Sequence, residues 1–358
     1  MKQPLHKRVI AGASWCAVIL LWLCAASVYV NPNLCSYIGV VGLAFPFFLA
    51  GLLVMQAISL LFAPRQAWIP LLGLAGCFFS VRAYCPVNFP STPPKGAIKV
   101  LSFNTAGYNG NKRDSLGHNA ALDYIAMSNA DIVCLQEAYV TPSTNFDSLV
   151  VQPLKAVLPY YDTIDIGANI LACFSRYPIL HKELICCKTA NGSAAFRLLL
   201  APGDTVLVVN CHLESMHLSP DDRQKYHTLV RDPEKSDVDS SSRMLITKIS
   251  AAAADRARQA TLTAEYVERH AGMSTILCGD FNDTPISFTH HRIDAAGLTD
   301  AYVAAGNGIG RSFNRDAIYV RIDNIFCSSD WEAYGSRVDH SVIASDHYPI
   351  YTFLHRDE

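Results

Sequence analysis

No aspartate or glutamate occurs before Asp114, so all 31 acidic residues of this 358-residue chain lie from that point onward. The first 96 residues carry only Lys2, Lys7, Arg8, Arg65, Arg82 and Lys95 as charges. An acid-free stretch of that length, mostly aliphatic and aromatic, excludes an ordinary soluble domain there and reads as membrane. The 51% hydrophobic content and mean hydropathy of +0.18 agree. No acid interrupts the apolar runs, so nothing there points to transport.

Other absences narrow the rest. There is no CxxC pair and no His-rich spacing, and seven of the 12 cysteines follow residue 97: Cys134, Cys173, Cys186, Cys187, Cys211, Cys278 and Cys327. An odd number spaced this way fits neither a disulfide framework nor a zinc site. Most lie in apolar strand-like runs, where a free thiol serves as a small buried hydrophobe, and that usage leans toward a reducing compartment. Nor is there a Lys/Arg run. After residue 97, 23 basic residues face 31 acidic ones, a formal balance of −8. Nonspecific nucleic-acid binding draws its affinity from phosphate neutralisation, so an acidic domain argues against it. The cluster Arg256 and Arg258 is the one candidate phosphate grip, with a solvated helix face as the plainer reading.

Three apolar runs are candidate spans: residues 9–30, 36–62 and 66–81. The first two suffice to cross roughly 30 Å of hydrocarbon at about 1.5 Å per residue. The third is short and needs Arg65 and Arg82 to snorkel. Lys2, Lys7 and Arg8 place the start in the cytoplasm, and Arg65 falls inside again after an uncharged first loop. Three spans then put the remainder on the extracytoplasmic side. A secretory signal peptide ending near Ala25, Ala26 and Ser27 is the alternative for the first run and leads to the same side. An uncleaved first span with a non-spanning third would leave the domain in the cytoplasm.

The expected organisation is a membrane region over 1–85, a proline-rich linker over 86–96, and a catalytic domain over 97–358. AIKVLSFN, DIVCLQE, ILACFS, TVLVVNCHLE, STILCGDFN, RIDNIFC and YPIYTFL read as buried strands. Helices are expected over about 118–129 and 243–270. The polar stretch 215–242 is either a substrate-shaping lid or a surface excursion. No internal repeat is present.

The decisive pattern is at the strand ends. The run ILCGDFNDTP turns from core strand to Asp280, Asn282 and Asp283. Turn chemistry explains one such ending. The others deliver Asn104, then Gln136 with Glu137, then His212 with Glu214, then Asp323, then Asp346 with His347. Six strands presenting complementary acids, amides and imidazoles point to one convergent site at a sheet edge. Mg²⁺ takes oxygen ligands, which Asn104 and Glu137 supply. A water attacking phosphorus needs a base, a role open to Asp280, and donors to the phosphate oxygens, open to Asn282, His212 and His347. Asp323 is suited to fix the tautomer of His347 or keep it protonated.

In order and spacing, SFN, LQE, NCHLES, GDFNDTP, RIDNIF and SDHYPI resemble the endonuclease/exonuclease/phosphatase superfamily, which includes deoxyribonuclease I, over residues 97–354. The resemblance implies an α/β fold, a four-layered α/β/β/α sandwich of two packed mixed sheets flanked by helices, here preceded by N-terminal transmembrane helices. It also implies that Asn104, Glu137 and Asp346 serve the metal, Mg²⁺ with Mn²⁺ as the alternative. His212 is implied to contact the phosphate, Asp280 and Asn282 to position nucleophile and phosphate, and Asp323 to pair with His347. Asp283 and Pro285 read as turn residues.

Two departures bear on substrate. Abasic-site endonucleases carry an acid where this chain has Ala106, and inositol 5-phosphatases carry a Trp and a Cys-Asp-Arg missing from RIDNIF. The resulting expectation is a membrane-anchored, metal-dependent phosphodiesterase or phosphatase. Lipid head groups or small extracytoplasmic phosphoesters stand ahead of nucleic acids as partners. The alternatives are a nuclease acting on DNA or RNA, and a non-catalytic membrane-tethered binding module, which would be expected to have lost Glu137, Asp280 or His347.

Overall fold

A computed structural model of the chain describes residues 4–142, 144–216, 219, 221, 222, 238–315 and 320–356. Most of the stretch 215–242, read as a lid or a surface excursion, lies outside the described residues.

Among these residues twelve strands form two six-stranded sheets. The first contains β1 (Ile98–Asn104), β2 (Ile132–Gln136), β3 (Tyr160–Asp165), β4 (Ile170–Ser175), β11 (Glu332–Val338) and β12 (Ile350–His355), in the order β11-β12-β1-β2-β4-β3. The second contains β5 (Ile179–Lys188), β6 (Asn191–Ala201), β7 (Asp204–His212), β8 (Ser274–Asp280), β9 (Leu298–Asp300) and β10 (Asp323–Ser328), in the order β5-β6-β7-β8-β10-β9. Each sheet has one parallel pair at its centre, β1 with β2 and β7 with β8, and antiparallel neighbours elsewhere.

The central strands are apolar on both faces because both faces are covered. Val100, Cys134, Val208, Ile276 and Ile325 fill the space between the sheets. On the outside of the first sheet, Leu122 and Ile125 of the helix Ala120–Met127 pack on Leu101 and Val133. On the outside of the second, Ala260, Ala264 and Val267 of the long helix Val238–Arg269 cover Leu207, Val209 and Leu277. These are the four layers expected. No cysteine among the described residues is in a disulfide, and Cys134, Cys173 and Cys278 are fully buried in the inter-sheet core.

The N-terminal region holds two stretches long and apolar enough to cross a membrane, Leu5–Tyr29 and Ile38–Phe62. Their outer faces expose Ile19, Leu23, Leu53 and Leu61, an apolar surface that water disfavours and hydrocarbon accepts. The third run is not one straight helix. Pro64–Gly76 and Phe78–Tyr84 meet at a 64° bend, where Cys77 leaves helical geometry (φ −109°, ψ 17°) directly after the poor helix former Gly76.

Candidate active site

Strand register assembles the site. Pairing of β1 with β2 sets Asn104 beside Gln136, so Glu137 follows at the same edge. Pairing of β7 with β8 sets His212 beside Asp280, and pairing of β8 with β10 sets Asp280 beside Asp323. His212, Asp280 and Asp323 therefore form one row across the second sheet. Gly279 permits the row: its φ is +140°, and a Cβ there would overlap the carbonyl oxygen of Cys211 on β7. Glu137 and Asn282, each just past a strand end, hold left-handed backbone at φ 49° and 52°. Such conformations in non-glycine residues cost free energy and cluster at functional sites.

Asp280, 1% exposed, is the hub. Its Oδ1 accepts from the Asn282 backbone N–H at 2.8 Å, and its Oδ2 accepts from Asn104 Nδ2 at 3.1 Å. The same oxygen lies 3.6 Å from His347 Nε2 and 3.8 Å from His212 Nε2. On its other nitrogen, His347 meets Asp323 Oδ2 at 2.9 Å. Glu137 Oε1 accepts from Asn104 Nδ2 at 3.2 Å and stands 3.6 Å from His212 Nε2. Asp346 lies at the more open side, 3.8 Å from Arg315 Nε. The Asn282 side chain donates to the Leu213 carbonyl at 2.9 Å, which leaves its second N–H for another acceptor. Of the strand-end candidates, Gln136 and Glu214 do not join. Gln136 donates to Asn210 Oδ1 at 2.7 Å across the inter-sheet core, and the Glu214 backbone N–H is held by Gln259 Oε1 at 2.7 Å.

The electrostatics separate the two histidines. Burial lowers the pKa of His212, and the Asp280 charge only partly opposes it. Burial also acts to lower His347, but Asp323 and Asp280 overcome it and hold the imidazole up to about 10. His347 is thus a cation at neutral pH and His212 a neutral ring. Burial pushes Asp280 up to about 6 despite the nearby imidazoles. Glu137 is likewise raised by burial, against the Asn104 hydrogen bond.

Asp280, Asp323 and His347 bring potential ligand atoms within 4.8 Å of one another. A cation held by both nitrogens of His347 already occupies the centre of that trio, so it reads as an ion-paired triad. The better fit for a divalent ion is on the other side of Asp280. The carboxylates of Glu137, Asp280, Asp323 and Asp346 outnumber the single imidazolium, and Glu137 and Asp346 offer hard oxygen donors, while Asn104 turns its Nδ2 to the carboxylates and its Oδ1 accepts from the Ala106 backbone N–H at 3.1 Å.

Two features went unseen in the sequence. Asn169 donates from Nδ2 to His212 Nδ1 at 3.3 Å, which places the ring proton on Nε2, toward the carboxylates. It stands just before β4, outside the motifs that drew attention. Ser345 Oγ donates to the Asn104 carbonyl at 2.8 Å, tying the His347 loop to β1. One expectation is corrected. Arg256 is neither a phosphate grip nor a solvated helix residue: it is 1% exposed, with Nε 3.2 Å from Asp283 Oδ2 and NH1 donating to the Glu214 carbonyl at 2.9 Å. Asp283 also accepts from Thr289 Oγ1 at 2.9 Å, so it anchors the loop behind Asp280. Arg258 turns instead to Asn33 Oδ1 at 3.2 Å.

Comparison with known proteins follows the same division of the chain. A model of a domain of unknown function matches residues 7–84. No curated protein matches. Among solved structures, the human Nocturnin catalytic domain with bound sulfate is 16% identical over 74% of this chain and 97% of that one, at a TM-score of 0.51. An endonuclease/exonuclease/phosphatase from Beutenbergia cavernae is 15% identical over 73% of this chain and 72% of that one, also at 0.51. A family protein from Bacteroides thetaiotaomicron is 18% identical over 75% and 100%, at 0.49. Identities this low speak to fold alone. The sequence match is the stronger finding: the model described as the Endonuclease/Exonuclease/phosphatase family spans residues 101–347, from β1 through His347, and the chain therefore belongs to that family, whose members are phosphoesterases or nucleases.

Proposed function

We propose that the protein is a membrane-anchored, divalent-metal-dependent phosphoesterase that hydrolyses its substrate by direct attack of water. In this reading residues 1–85 are the membrane region, 86–96 the linker and 97–358 the catalytic domain, held on the extracytoplasmic side. The observation that carries it is the hub at Asp280: a buried carboxylate poised near neutrality, with a protonated imidazole on one side and an oxygen-rich, negatively charged pocket on the other.

Asp280 orients the water and accepts its proton, a task suited to a carboxylate whose pKa lies near the working pH. His347, kept protonated by Asp323, donates to a phosphoryl oxygen, as do the Nε2–H of His212 and the free amide hydrogen of Asn282. Glu137 and Asp346, joined by Asn104 once its amide turns Oδ1 inward from the Ala106 N–H, would hold the ion, Mg²⁺ by donor chemistry, and a bound ion would supply Lewis-acid stabilisation of the charge that develops on the phosphoryl oxygens. The domain balance of −8 weighs against nucleic acid as the substrate.

The test uses the full chain in detergent with bis-nitrophenyl phosphate, in Mg²⁺ or in EDTA, beside Asp280→Ala. Metal-dependent turnover abolished by the substitution is the expected result. Turnover that survives both EDTA and Asp280→Ala would refute the assignment.

A further inference from the structure

The membrane region is not a loose tether. Its helices have a readable direction. Ser14 of the first span meets Ser59 of the second, an antiparallel pair. Against the third segment, Trp15 meets Trp68, Val18 lies against Gly73, and Trp22 lies against Gly76, so this segment runs parallel to the first. Arg8, at the start of the first helix, and Arg65, in the turn before the third, thus mark one end of the bundle, and the 27–45 connection marks the other.

The catalytic domain sits on that second end, and the contacts are close. A Cβ added at Gly42 would overlap the carbonyl oxygen of Ile286, and one at Gly39 would overlap Ala253 of the long helix. The Tyr29 ring packs edge-on against His291 at 4.7 Å, and Asn33 receives Arg258. Ile286, Phe313 and Ile322 share one buried cluster with Leu21, Phe45 and Tyr84 of the bundle. Each of the three touches the site at close range in sequence or space. Ile286 ends the loop that begins at Asp280, Ile322 precedes Asp323, and the Phe313 ring lies 5.1 Å from the His347 ring.

We propose that the 27–45 connection is a wall of the active site, fixing it at head-group depth on the membrane face opposite the N terminus, and that its substrate is a phosphoester amphiphile resident in that leaflet. This rests on the phosphoesterase reading above. A lipid phosphate enters such a site without leaving the bilayer.

The test reconstitutes the full chain in sealed vesicles and compares mixed phosphatidylcholine, phosphatidylethanolamine and phosphatidylglycerol with their deacylated glycerophospho head groups. Confinement to the same surface should raise kcat/KM for the bilayer-borne esters at least about a hundredfold over the free head groups. Gly42→Ala should lower it by about a hundredfold through a loop displaced by an ångström. Gly51→Ala, where an added Cβ meets nothing within 4 Å, should not change it. Protease added outside should reach tags at the two termini in mutually exclusive vesicle orientations, a readout independent of how the variants fold. Equal or better hydrolysis of free head groups, or both tags cut together, overturns this proposal and leaves the phosphoesterase standing. No metal-dependent hydrolysis of bis-nitrophenyl phosphate, lipid or head group removes both.

Discussion

His347 and Asp323, 24 residues apart, meet through a 2.9 Å contact between Nδ1 and Oδ2 in a fully buried setting. The acid fixes which ring nitrogen faces Asp280 and keeps that nitrogen protonated. Its effect on chemistry is therefore transmitted through the imidazole. Asp323→Ala should lose activity nearly as badly as His347→Ala, each by about 10²- to 10⁴-fold, the usual range for a positioned proton donor. The double variant should be little worse than either single one. Independent, additive losses in the cycle would show that the two residues act separately.

The same pair predicts a pH signature in stability. His347 has a folded pKa near 10, above its ordinary 6.5, so its contribution is fully present below about 6.5 and is lost as pH rises through 10. In EDTA, the thermal midpoint of the full chain should decline between pH 7 and 10. Asp323→Asn, which removes the partner charge, should flatten that decline, and an unchanged slope would exclude the pair as its source.

How much of this was legible beforehand depended on where each residue sat. Asn104, Glu137, His212 and Asp280 each close an apolar run and His347 stands just ahead of one, and a polar residue in such a position is conspicuous. Strands β3, β5, β6, β9 and β11 went unread: β9 is only three residues long, and the others have wet or small-residue faces, as in Ile179–Lys188, which is mostly exposed. Asn169 is invisible for a related reason: its role depends on the first sheet, which carries β4, packing against the second, which carries β7 and His212, and no local pattern encodes that. Arg256 was misjudged because a helix rich in Ala, Arg and Gln looks solvated until Asp283 and Glu214 are folded over it.

The buried Arg256–Asp283 pair makes a separable prediction. Truncating the arginine strands a carboxylate at 6% exposure and frees the loop that carries Asp280. Arg256→Ala should cost about 3–5 kcal/mol, the range for breaking a buried ion pair from one side. Replacing both partners, Arg256→Met with Asp283→Leu, should recover part of the stability because no charge is left unpaired. Denaturant midpoints of the three proteins decide it. A double variant as unstable as Arg256→Ala would show that the hydrogen bonds to Thr289 and Glu214, not the charge pairing, hold the loop.

The acidic pocket makes the last prediction, and it needs no substrate. Glu137 carries a raised pKa because burial disfavours its charge by more than the Asn104 hydrogen bond and the His347 charge favour it, while Asp346 nearby raises it further. A divalent ion relieves that repulsion in the folded chain only. Mg²⁺ should therefore stabilise the protein by mass action, about 2.7 kcal/mol at a hundred times its dissociation constant. Protonation competes for the same oxygens, so the shift should shrink as pH falls toward 5. Glu137→Gln removes a charge and keeps the shape; it should raise the metal-free midpoint and abolish most of the Mg²⁺ shift. Asp323→Asn, on the far side of His347, should leave the shift largely intact. A shift lost in Asp323→Asn but kept in Glu137→Gln would move the ion to the Asp280, Asp323 and His347 trio and reverse the assignment made from charge.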